Sequence, residues 1–490
     1  MSETLRPKIK LLSDELVEKI LDEALILLEK QGIFVENDEA LRLFRQSETA
    51  VDTSSRKVFI KPELVRKCLE STPEEILLYD RAGEKSYRVG GDHIHFDPGS
   101  AAVTILDHKT RSRRRPETRD LIHFVLVSDY LKNIDFQSTG LISGDVPEIL
   151  ADSYRLYIGL QYSHKPVVTG TFRVEAFQPM AEMLTAVRGS REALREKPLA
   201  IFDACPSPPL KWSHLTSQSL IDAARTGIPS ELISMGMTGA TSPVTITGTL
   251  VQHVAENLCG LVICQLAQSG APVIFGGSPS SFDMRKATTP MGAIETMMID
   301  AAYAQIAKHL NLPTHAYMGL SDAKTNDSQA GMESGMGAVL ASLAGINVIS
   351  GPGMLNFESC QSLEKLVIDN EICGMALRLA RGISQREDPI ALELLEGLTP
   401  DTQFLSHLHT RKWYRKEHIF PEILDRDTYD TWENQGKCSL ADKAAAKVNE
   451  IIQTHQPPPL DGDIKRELNE IMSGDARSNG VGNLPELKYK

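Results

Sequence analysis

The chain has 490 residues, of which 41% are hydrophobic and 24% are charged, so it can build a sizeable core without disulfides or metal ions. Its 52 Lys and Arg against 65 Asp and Glu give a net charge of −13, which disfavours nucleic acid and anionic membranes as partners. No segment approaches the ~18 uncharged apolar residues of a membrane span, and no cysteines form a CxxC pair. We therefore expect a cytoplasmic protein with reduced thiols, no signal peptide and no membrane partner.

The N-terminal part of the chain predicts a helix followed by short strands. Apolar residues recur at helical spacing over 14–30, with Ser13 placed to cap the first turn and Gly32 to end the helix. Short β runs follow at 93–99 and 101–107, interrupted by Gly-Gly and Pro-Gly turn signals. We expect a hairpin or small sheet in this region.

From residue 134 onward, short apolar runs alternate with helical stretches at intervals of 32 to 41 residues. The runs are IDFQST (134), VVTGTF (167), AIFDA (200), LISMGM (232), VIFGG (273), THAYMG (314) and INVIS (346). Strands that alternate with crossover helices build a parallel sheet, and seven such units predict an α/β fold of the (β/α)8 TIM-barrel type. The eighth strand comes either from 101–107 or from 402–408.

The same pattern divides the chain into three parts. N-terminal helix and hairpin additions occupy 1–130, and the barrel core occupies 131–382. After Gly382 the alternation loosens, and 383–490 reads as a C-terminal helical extension that wraps around the core.

In a barrel of this kind, the active site lies at the carboxyl ends of the strands. The segment 319–334 follows one of the predicted strands and is the richest in polar and charged side chains. Its Gln329 and Glu333 are four residues apart and so share a helix face, with Asp322 just before them. Two interpretations stay open. These side chains either point into the cavity, where an acid would hold a proton or a cation, or form a capped and solvated helix start.

Metal and nucleotide sites have little support in the sequence. His93-x-His95 and His407-x-His409 lack further ligands, and no HExxH, Walker A or dinucleotide-binding glycine motif occurs. Asp203 follows the strand at 200, but no Ser-His-Asp triad can be assigned by spacing. We therefore expect no directly bound metal, and the residues alone predict only a barrel enzyme with its site in the later loops.

Several sequence blocks resemble the trimethylamine methyltransferase family. They are TGTLVQHVAENLCGLVICQLAQSGAPVIFGG (247–277), FDMR (282–285), SDAKTNDSQAGMES (321–334), LAGINVI (343–349) and SLEKLVIDNEICGM (362–375), together with the hairpin and helix start at 97–121. The resemblance spans most of 90–382. It implies a barrel that transfers a methyl group from an amine to the Co(I) of a corrinoid held on a separate small protein.

One departure from the founding members bears on the substrate. Those members carry pyrrolysine in the later barrel loops, whereas every position here is a standard residue. The chain therefore resembles the non-pyrrolysine branch, known for quaternary amines such as glycine betaine. A quaternary nitrogen already carries the positive charge that lets a methyl group leave, so no adduct-forming residue is required. The resemblance implies a cobalamin-binding partner protein, and the small residues of the barrel helices are compatible with a homo-oligomer.

On this hypothesis the Co(I) is the nucleophile, and the protein acts by positioning and desolvation. The cationic head group requires aromatic faces or carboxylates, and the carboxylate of a betaine requires a cation. The aromatic candidates are Phe172, Tyr317 and Phe357. The candidates for help at the catalytic step are Asp322, Glu333 and Gln329, and those for the substrate carboxylate are Arg285 and Lys324.

Two other functions stay open. Lys324 follows a predicted strand, as the lysine of a Schiff-base barrel lyase would, although its acidic surroundings favour a raised pKa over the lowered one that such a lysine needs. The third hypothesis is a betaine- or corrinoid-binding protein without catalytic turnover.

Overall fold

The computed structural model describes residues 4–107 and 109–487, and its centre consists of eight parallel strands that alternate with eight helices. In chain order the strands are β1 (His95–Asp97), β2 (Gln137–Ser138), β3 (Val167–Gly170), β4 (Ala200–Ala204), β5 (Ser230–Ser234), β6 (Val273–Gly277), β7 (His315–Tyr317) and β8 (Val348–Ser350). The helices that follow them are α1 (Thr118–Tyr130), α2 (Ala151–Tyr162), α3 (Phe177–Arg188), α4 (His214–Thr226), α5 (Ile246–Ala267), α6 (Ile294–His309), α7 (Ser328–Ala344) and α8 (Leu363–Ala380). All seven strands predicted from the apolar runs form, and each starts within three residues of its expected position.

The strands form two parallel sheets whose edges are linked by hydrogen bonds. One sheet has the order β6-β5-β4-β3-β2 and the other has the order β7-β8-β1. A parallel bridge joins Phe275 of β6 to Thr314, just before β7. At the other edges, Asp135 N donates to Phe96 O at 2.8 Å, which joins the start of β2 to β1. The architecture is therefore mixed α/β, with parallel strands connected through helices.

The eighth strand, β1, comes from neither of the two segments expected to supply it. Thr104–Asp107 instead forms a hairpin with Ser112–Arg114, and 402–408 contains no strand. The expectation that the run around β1 belongs to a separate small sheet is also wrong, because β1 pairs in parallel with β8. This strand lacks the apolar pattern of the other strands, because two of its three residues, His95 and Asp97, are polar although both are buried. Their burial is tolerated because both find hydrogen-bond partners.

An apolar floor lies inside the strands towards their amino ends. The strand region contributes Phe136, Val168, Ile201, Ile274 and Val348, and a hairpin of Glu75–Tyr79 and Ser86–Gly90 packs Ile76, Leu78, Tyr87 and Val89 against them. Alternate residues of a strand point to the same face, so a residue two positions further on, such as Asp203 after Ile201, lies above this floor. The side chains at the carboxyl ends are therefore free to form a site.

Helix α5 is the longest helix of the fold and a core element. By length and composition it is able to cross a membrane, but 83% of its most apolar 18-residue window is buried inside the fold. The N-terminal helices pack against it, and Ser13 caps the first of them as predicted. These helices are Asp14–Lys30, Asp38–Gln46 and Pro62–Ser71. A four-stranded sheet is formed by Ile33–Val35, Ala50–Asp52, Lys57–Phe59 and Lys211–Trp212.

The loops at the carboxyl ends of the strands contain short pairings of their own. Met237–Thr238 pairs with Ser280–Ser281. Met354–Leu355 pairs with Cys360–Gln361, which in turn pairs with Thr104–Asp107. A further short helix, Arg191–Glu196, precedes β4. The pairings order the loops above the strand ends.

The C-terminal extension returns to the outer face of the helices. Its helices are Leu392–Leu395, Leu408–Glu417, Tyr429–Asn434, Leu440–Thr454 and Gly462–Ser478. The fourth packs against α1 and α8, and the fifth against α2 and α3. Asp129 of α1 anchors this return, because its carboxylate lies 2.7 Å from His455 Nε2 and accepts from Ser163 Oγ at 2.8 Å. Residues 488–490 of the predicted extension lie outside the described residues.

Candidate active site

A cavity of about 280 Å³ lies at the carboxyl ends of the strands, above the apolar floor. Its lining combines acidic, aromatic and apolar side chains with one guanidinium group. The lining residues are Ser100, Ala101, Arg155, Gly170, Thr171, Phe172, Asp203, Cys205, Leu215, Thr216, Ile233, Met235, Ser278, Tyr317 and Glu358. The side chains of Phe172 and Met235 are about half exposed and mark its open side. A concave site with a few converging polar groups is the usual form of a small-molecule site.

Two carboxyl groups, from neighbouring strands, meet at the base of the cavity. Asp203 of β4 and Glu231 of β5 are register partners, so their side chains project next to each other. Burial raises the pKa of Asp203 to about 7 and that of Glu231 well above its usual range, and the interaction between the two groups favours ionisation of Asp203 over that of Glu231. Asp203 Oδ1 and both carboxyl oxygens of Glu231 have no hydrogen-bond partner among the described residues. Buried carboxyl groups in this state take up a proton or a cation.

Two more carboxyl groups act on the same space. Asp97 of β1, in the other sheet, accepts from Ser350 Oγ at 2.7 Å. Glu358, in the loop after β8, accepts from Ser100 N at 3.4 Å. Burial raises the pKa of Asp97 well above its usual range and that of Glu358 to about 8, and the charge of Asp203 adds to both shifts. The four carboxyl groups therefore share one electrostatic field.

A left-handed turn presents Glu358 to the cavity. Three consecutive residues, Asn356, Phe357 and Glu358, have φ angles of 52°, 57° and 62°. Ala101, another lining residue, has a φ of 61°. This region costs an ordinary residue about 1–2 kcal/mol, and such strain is concentrated at functional sites. The backbone is therefore held in an unfavourable conformation where the acid enters the cavity.

A neutral histidine lies beside the acids. His315 Nε2 is 3.0 Å from Ser350 Oγ, and its Nδ1 is 3.8 Å from Glu231 Oε1. Burial lowers the pKa of His315 to about 3, so the ring carries no charge at neutral pH. Tyr317, two residues further along β7, packs edge-on against this ring with the centroids 4.8 Å apart. His315 therefore does not neutralise the carboxyl groups.

Arg155 of α2 carries the only positive charge among the described residues that line the cavity. Its Nη1 donates to Thr139 O at 2.9 Å, its Nε donates to Ala151 O at 3.1 Å, and its Nη2 lies 3.4 Å from Asp152 Oδ1. The guanidinium group covers the Phe172 ring, with Cζ 4.7 Å from the ring centroid. Asp152 also accepts from Phe172 N at 2.7 Å, so one carboxylate positions both residues.

The structure brings two of the five residues expected to bind substrate into the cavity. Phe172 and Tyr317 line it. Phe357 and Lys324 lie outside the lining and contact each other, with Lys324 Nζ 3.9 Å from the ring centroid. Arg285 is exposed and forms a bidentate pair with the aspartate two residues before it. Lys324 also donates to a backbone carbonyl, so no observation favours its use as a Schiff-base lysine.

The three residues expected to act at the catalytic step form one network outside the lining. Glu333 accepts from Ser321 Oγ at 2.6 Å, from Asp322 N at 2.8 Å and from Gln329 Nε2 at 2.8 Å. Gln329 and Glu333 therefore share a helix face, as predicted. Asp322 accepts from the backbone N–H groups of 291–292 at 3.0 and 2.9 Å, and burial raises its pKa to about 6. This network ties the loop after β6 to the loop after β7.

Sequence reasoning gave no role to Asp97, Glu231, Glu358 or Arg155. For Glu231 the sequence held a signal, because this acid directly precedes the apolar run at 232. In the structure β5 begins at Ser230, two residues before the expected start, so Glu231 lies inside a buried strand. An ionisable residue in a strand buried on both faces is costly unless it is paired or functional. Asp203 shows the same feature in β4.

Comparison with known proteins identifies the family. The family described as trimethylamine methyltransferase (MTTB) matches residues 2–480. The glycine betaine methyltransferase of Desulfitobacterium hafniense strain Y51 is 31% identical over 478 residues, which cover 97% of this chain and 99% of that protein. The trimethylamine methyltransferase MttB of Desulfitobacterium hafniense strain DSM 10664 / DCB-2 is also 31% identical, over 469 residues that cover 96% and 94% of the two chains.

A solved structure supports the fold. The monomethylamine methyltransferase MtmB of Methanosarcina barkeri is similar with a TM-score of 0.50 and 14% identity, covering 96% of this chain and 95% of that one. At this identity the likeness concerns the fold alone. The family match and the curated relatives extend over almost the whole chain, and all its residues are standard, as in the non-pyrrolysine branch. The chain therefore belongs to the trimethylamine methyltransferase (MTTB) family and is a methyltransferase of that family.

Proposed function

We propose that the protein takes a methyl group from a small quaternary amine, with glycine betaine as the first candidate, and transfers it to the Co(I) of a corrinoid on a separate protein. The observation that carries this proposal is a small cavity lined by two acids, Asp203 and Glu358, whose lining residue Tyr317 also feels the charges of Asp97 and Glu231. The relative named glycine betaine methyltransferase supports the substrate class.

As part of this proposal, the two parallel sheets act together as one closed (β/α)8 barrel. Support comes from the eight strand-helix units and from the hydrogen bonds that link the sheets at both pairs of edges. In barrels of this type the active site lies at the carboxyl ends of the strands. The acidic cavity lies at that end.

The cavity suits a quaternary ammonium head group. Such a group has no N–H to donate, so its attraction to carboxylates is purely electrostatic, and it is strongest where water is excluded. The cation also favours the ionised form of the acids around it. The ring of Tyr317 adds aromatic surface of the kind that binds quaternary ammonium ions.

The methyl acceptor approaches from outside the cavity. A volume of about 280 Å³ accommodates a small amine, but it lies below the ~300–1,000 Å³ of sites for drug-sized ligands, so a corrinoid ring does not fit inside with the amine. The reduced corrinoid supplies the nucleophile for the methyl carbon. We place the docking surface for the corrinoid protein at the open side, around Phe172 and Met235.

The carboxyl groups also suit the change of charge during transfer. The C–N bond breaks, its electron pair stays on nitrogen, and the cation becomes a neutral tertiary amine. Permanently ionised carboxylates would stabilise the substrate more than the transition state and so slow the reaction. Because the pKa values of Asp203 and Glu358 are raised, these groups can take up protons again as the nitrogen loses its charge.

The test uses purified protein with cob(I)alamin and glycine betaine under anaerobic conditions. We expect loss of the Co(I) absorbance and formation of methylcobalamin and dimethylglycine. Asp203→Asn should slow the reaction at saturating cobalamin, because an acid that lines the cavity is lost. Asp283→Asn is a matched control, since this carboxylate lies outside the lining and is already paired with Arg285.

A panel of betaines and trimethylamine extends the test to the substrate class. Turnover of any betaine but not of trimethylamine would support the proposal. Absence of methylcobalamin with every betaine, from a folded protein, would refute it.

A further inference from the structure

We infer that Arg155 binds the carboxylate of the substrate, so that the cavity selects a zwitterion over a plain quaternary cation. This inference rests on the proposed function and deepens it. It starts from the arrangement of charge. One guanidinium group, that of Arg155, lies in the wall of the cavity, and no other described lining residue is a lysine or an arginine. The negative charges of four carboxyl groups act on the lining residue Tyr317.

Arg155 has donors to spare. A guanidinium group has five N–H hydrogens. Three contacts are accounted for, to Ala151 O, Thr139 O and Asp152 Oδ1, and the last of these is long at 3.4 Å. Two N–H hydrogens, one on each terminal nitrogen, have no acceptor among the described residues. A buried arginine in this state suits a carboxylate ligand, which can accept two hydrogen bonds from it.

The orientation of the guanidinium group is set before any ligand binds. Asp152 holds its edge, Thr139 O holds Nη1, and the Phe172 ring covers one of its faces at 4.7 Å. Its charge also reaches the acids, because Arg155 counteracts the rise in the pKa of Asp203 that burial causes. The positive charge of Arg155 therefore acts on the carboxyl group of Asp203, which also lines the cavity.

These two charges match the two ends of a betaine. With the ammonium group beside Asp203, the short chain of a betaine brings its carboxylate towards the wall formed by Arg155. Choline has the same head group but a hydroxyl in place of the carboxylate, so it leaves the guanidinium group without an anionic partner. The other basic candidates do not compete for this role, since Arg285 is paired with Asp283 and Lys324 lies outside the lining.

The test is calorimetric titration of the full chain, without any methyl acceptor, with glycine betaine and with choline. We expect wild-type protein to bind glycine betaine about 10- to 100-fold more tightly than choline. Arg155→Met should remove this difference by weakening betaine binding while choline binding stays equal or becomes tighter. Arg155→Lys keeps the charge but loses the two-pronged geometry, and it should give an intermediate preference.

Arg173→Met provides the control, because this neighbouring arginine bonds to Ile149 O and lies outside the lining. It should leave the affinity for both ligands unchanged. Equal losses for both ligands in the Arg155 variants, or a wild-type protein that prefers choline, would overturn the role of Arg155 and leave the proposed function intact. A wild-type protein that binds neither ligand would overturn glycine betaine as the substrate and the role of Arg155 in binding it, and the turnover test with the full panel of betaines would then decide the proposed function. If Arg155→Met does not fold, Arg155→Lys decides the question through the ratio of the two affinities.

Discussion

Acidification should weaken the binding of a quaternary amine, because protons compete with the cation for the carboxyl groups. Burial raises the pKa of Asp203 to about 7 and that of Glu358 to about 8. A bound cation favours the ionised forms, so binding releases protons and the affinity rises with pH. His315 does not oppose this trend, because its pKa of about 3 keeps it neutral throughout.

The size of the effect follows from these values. With a pKa of about 7, the ionised fraction of Asp203 rises from roughly 0.1 at pH 6 to roughly 0.9 at pH 8. If binding requires only this carboxylate, the affinity should increase about tenfold over that range. If Glu358 must ionise as well, its pKa of about 8 contributes a further factor of roughly 50. The expected range is therefore tenfold to several hundredfold.

Calorimetric titration with glycine betaine at pH 6, 7 and 8 measures this affinity. Repeating each titration in two buffers with different ionisation enthalpies counts the protons released. At pH 7, Asp203 alone should release about half a proton. Asp203→Asn should reduce the pH dependence. Asp283→Asn should leave the pH dependence of the affinity unchanged. In the wild-type protein, Arg285 lowers the pKa of Asp283 to about 2, so this carboxylate stays ionised between pH 6 and 8. An affinity that is constant between pH 6 and 8, or tighter at pH 6, would refute the reasoning.

Two further predictions concern stability and can be measured by urea denaturation. Gly337→Ala should lower the free energy of unfolding by about 1–3 kcal/mol, because the new Cβ would lie 1.8 Å from Met318 O. Gly331→Ala, in the same helix, should stabilise the protein slightly, because its Cβ would meet nothing within 4 Å. Asp129→Asn should cost about 3 kcal/mol near neutral pH. Although burial opposes it, hydrogen bonding to His164 and His455 lowers the pKa of Asp129 well below its usual range, so its stabilising contribution is lost as the pH falls below ~4. Equal stability of the two glycine variants, or an unchanged acid profile for Asp129→Asn, would contradict these accounts.

Much of the strand pattern was predictable from local composition. Seven strands are short apolar runs, and the helices between them carry clear starts and stops, as at Asp327, whose side chain caps α7. The place of strand β1 in the parallel sheet was not predicted, because its burial depends on partners distant in sequence. His95 is hydrogen-bonded to Asp135 and Asp97 to Ser350, and neither contact can be recognised from spacing.

The cavity was less predictable than the strands. Phe172 and Tyr317, predicted as aromatic residues near strand ends that suit a cationic ligand, do line the cavity. Glu358 depends on a left-handed turn, and Arg155 comes from a helix side chain that reaches over the end of β2. These placements arise from tertiary packing. The acids around Glu333 lie in 319–334, the segment that the sequence favoured as the site. In the structure they hold two loops together outside the lining of the cavity.

The hairpin of Glu75–Tyr79 and Ser86–Gly90 has a kinetic consequence for the proposed reaction. Because it packs against the amino ends of the strands, we expect substrate, product and the proposed acceptor all to use the open side of the cavity. The amine must then enter before the acceptor arrives, and the demethylated amine leaves only after the acceptor has departed. Turnover on such a protein follows a compulsory sequence, in which slow departure of the acceptor delays release of the amine.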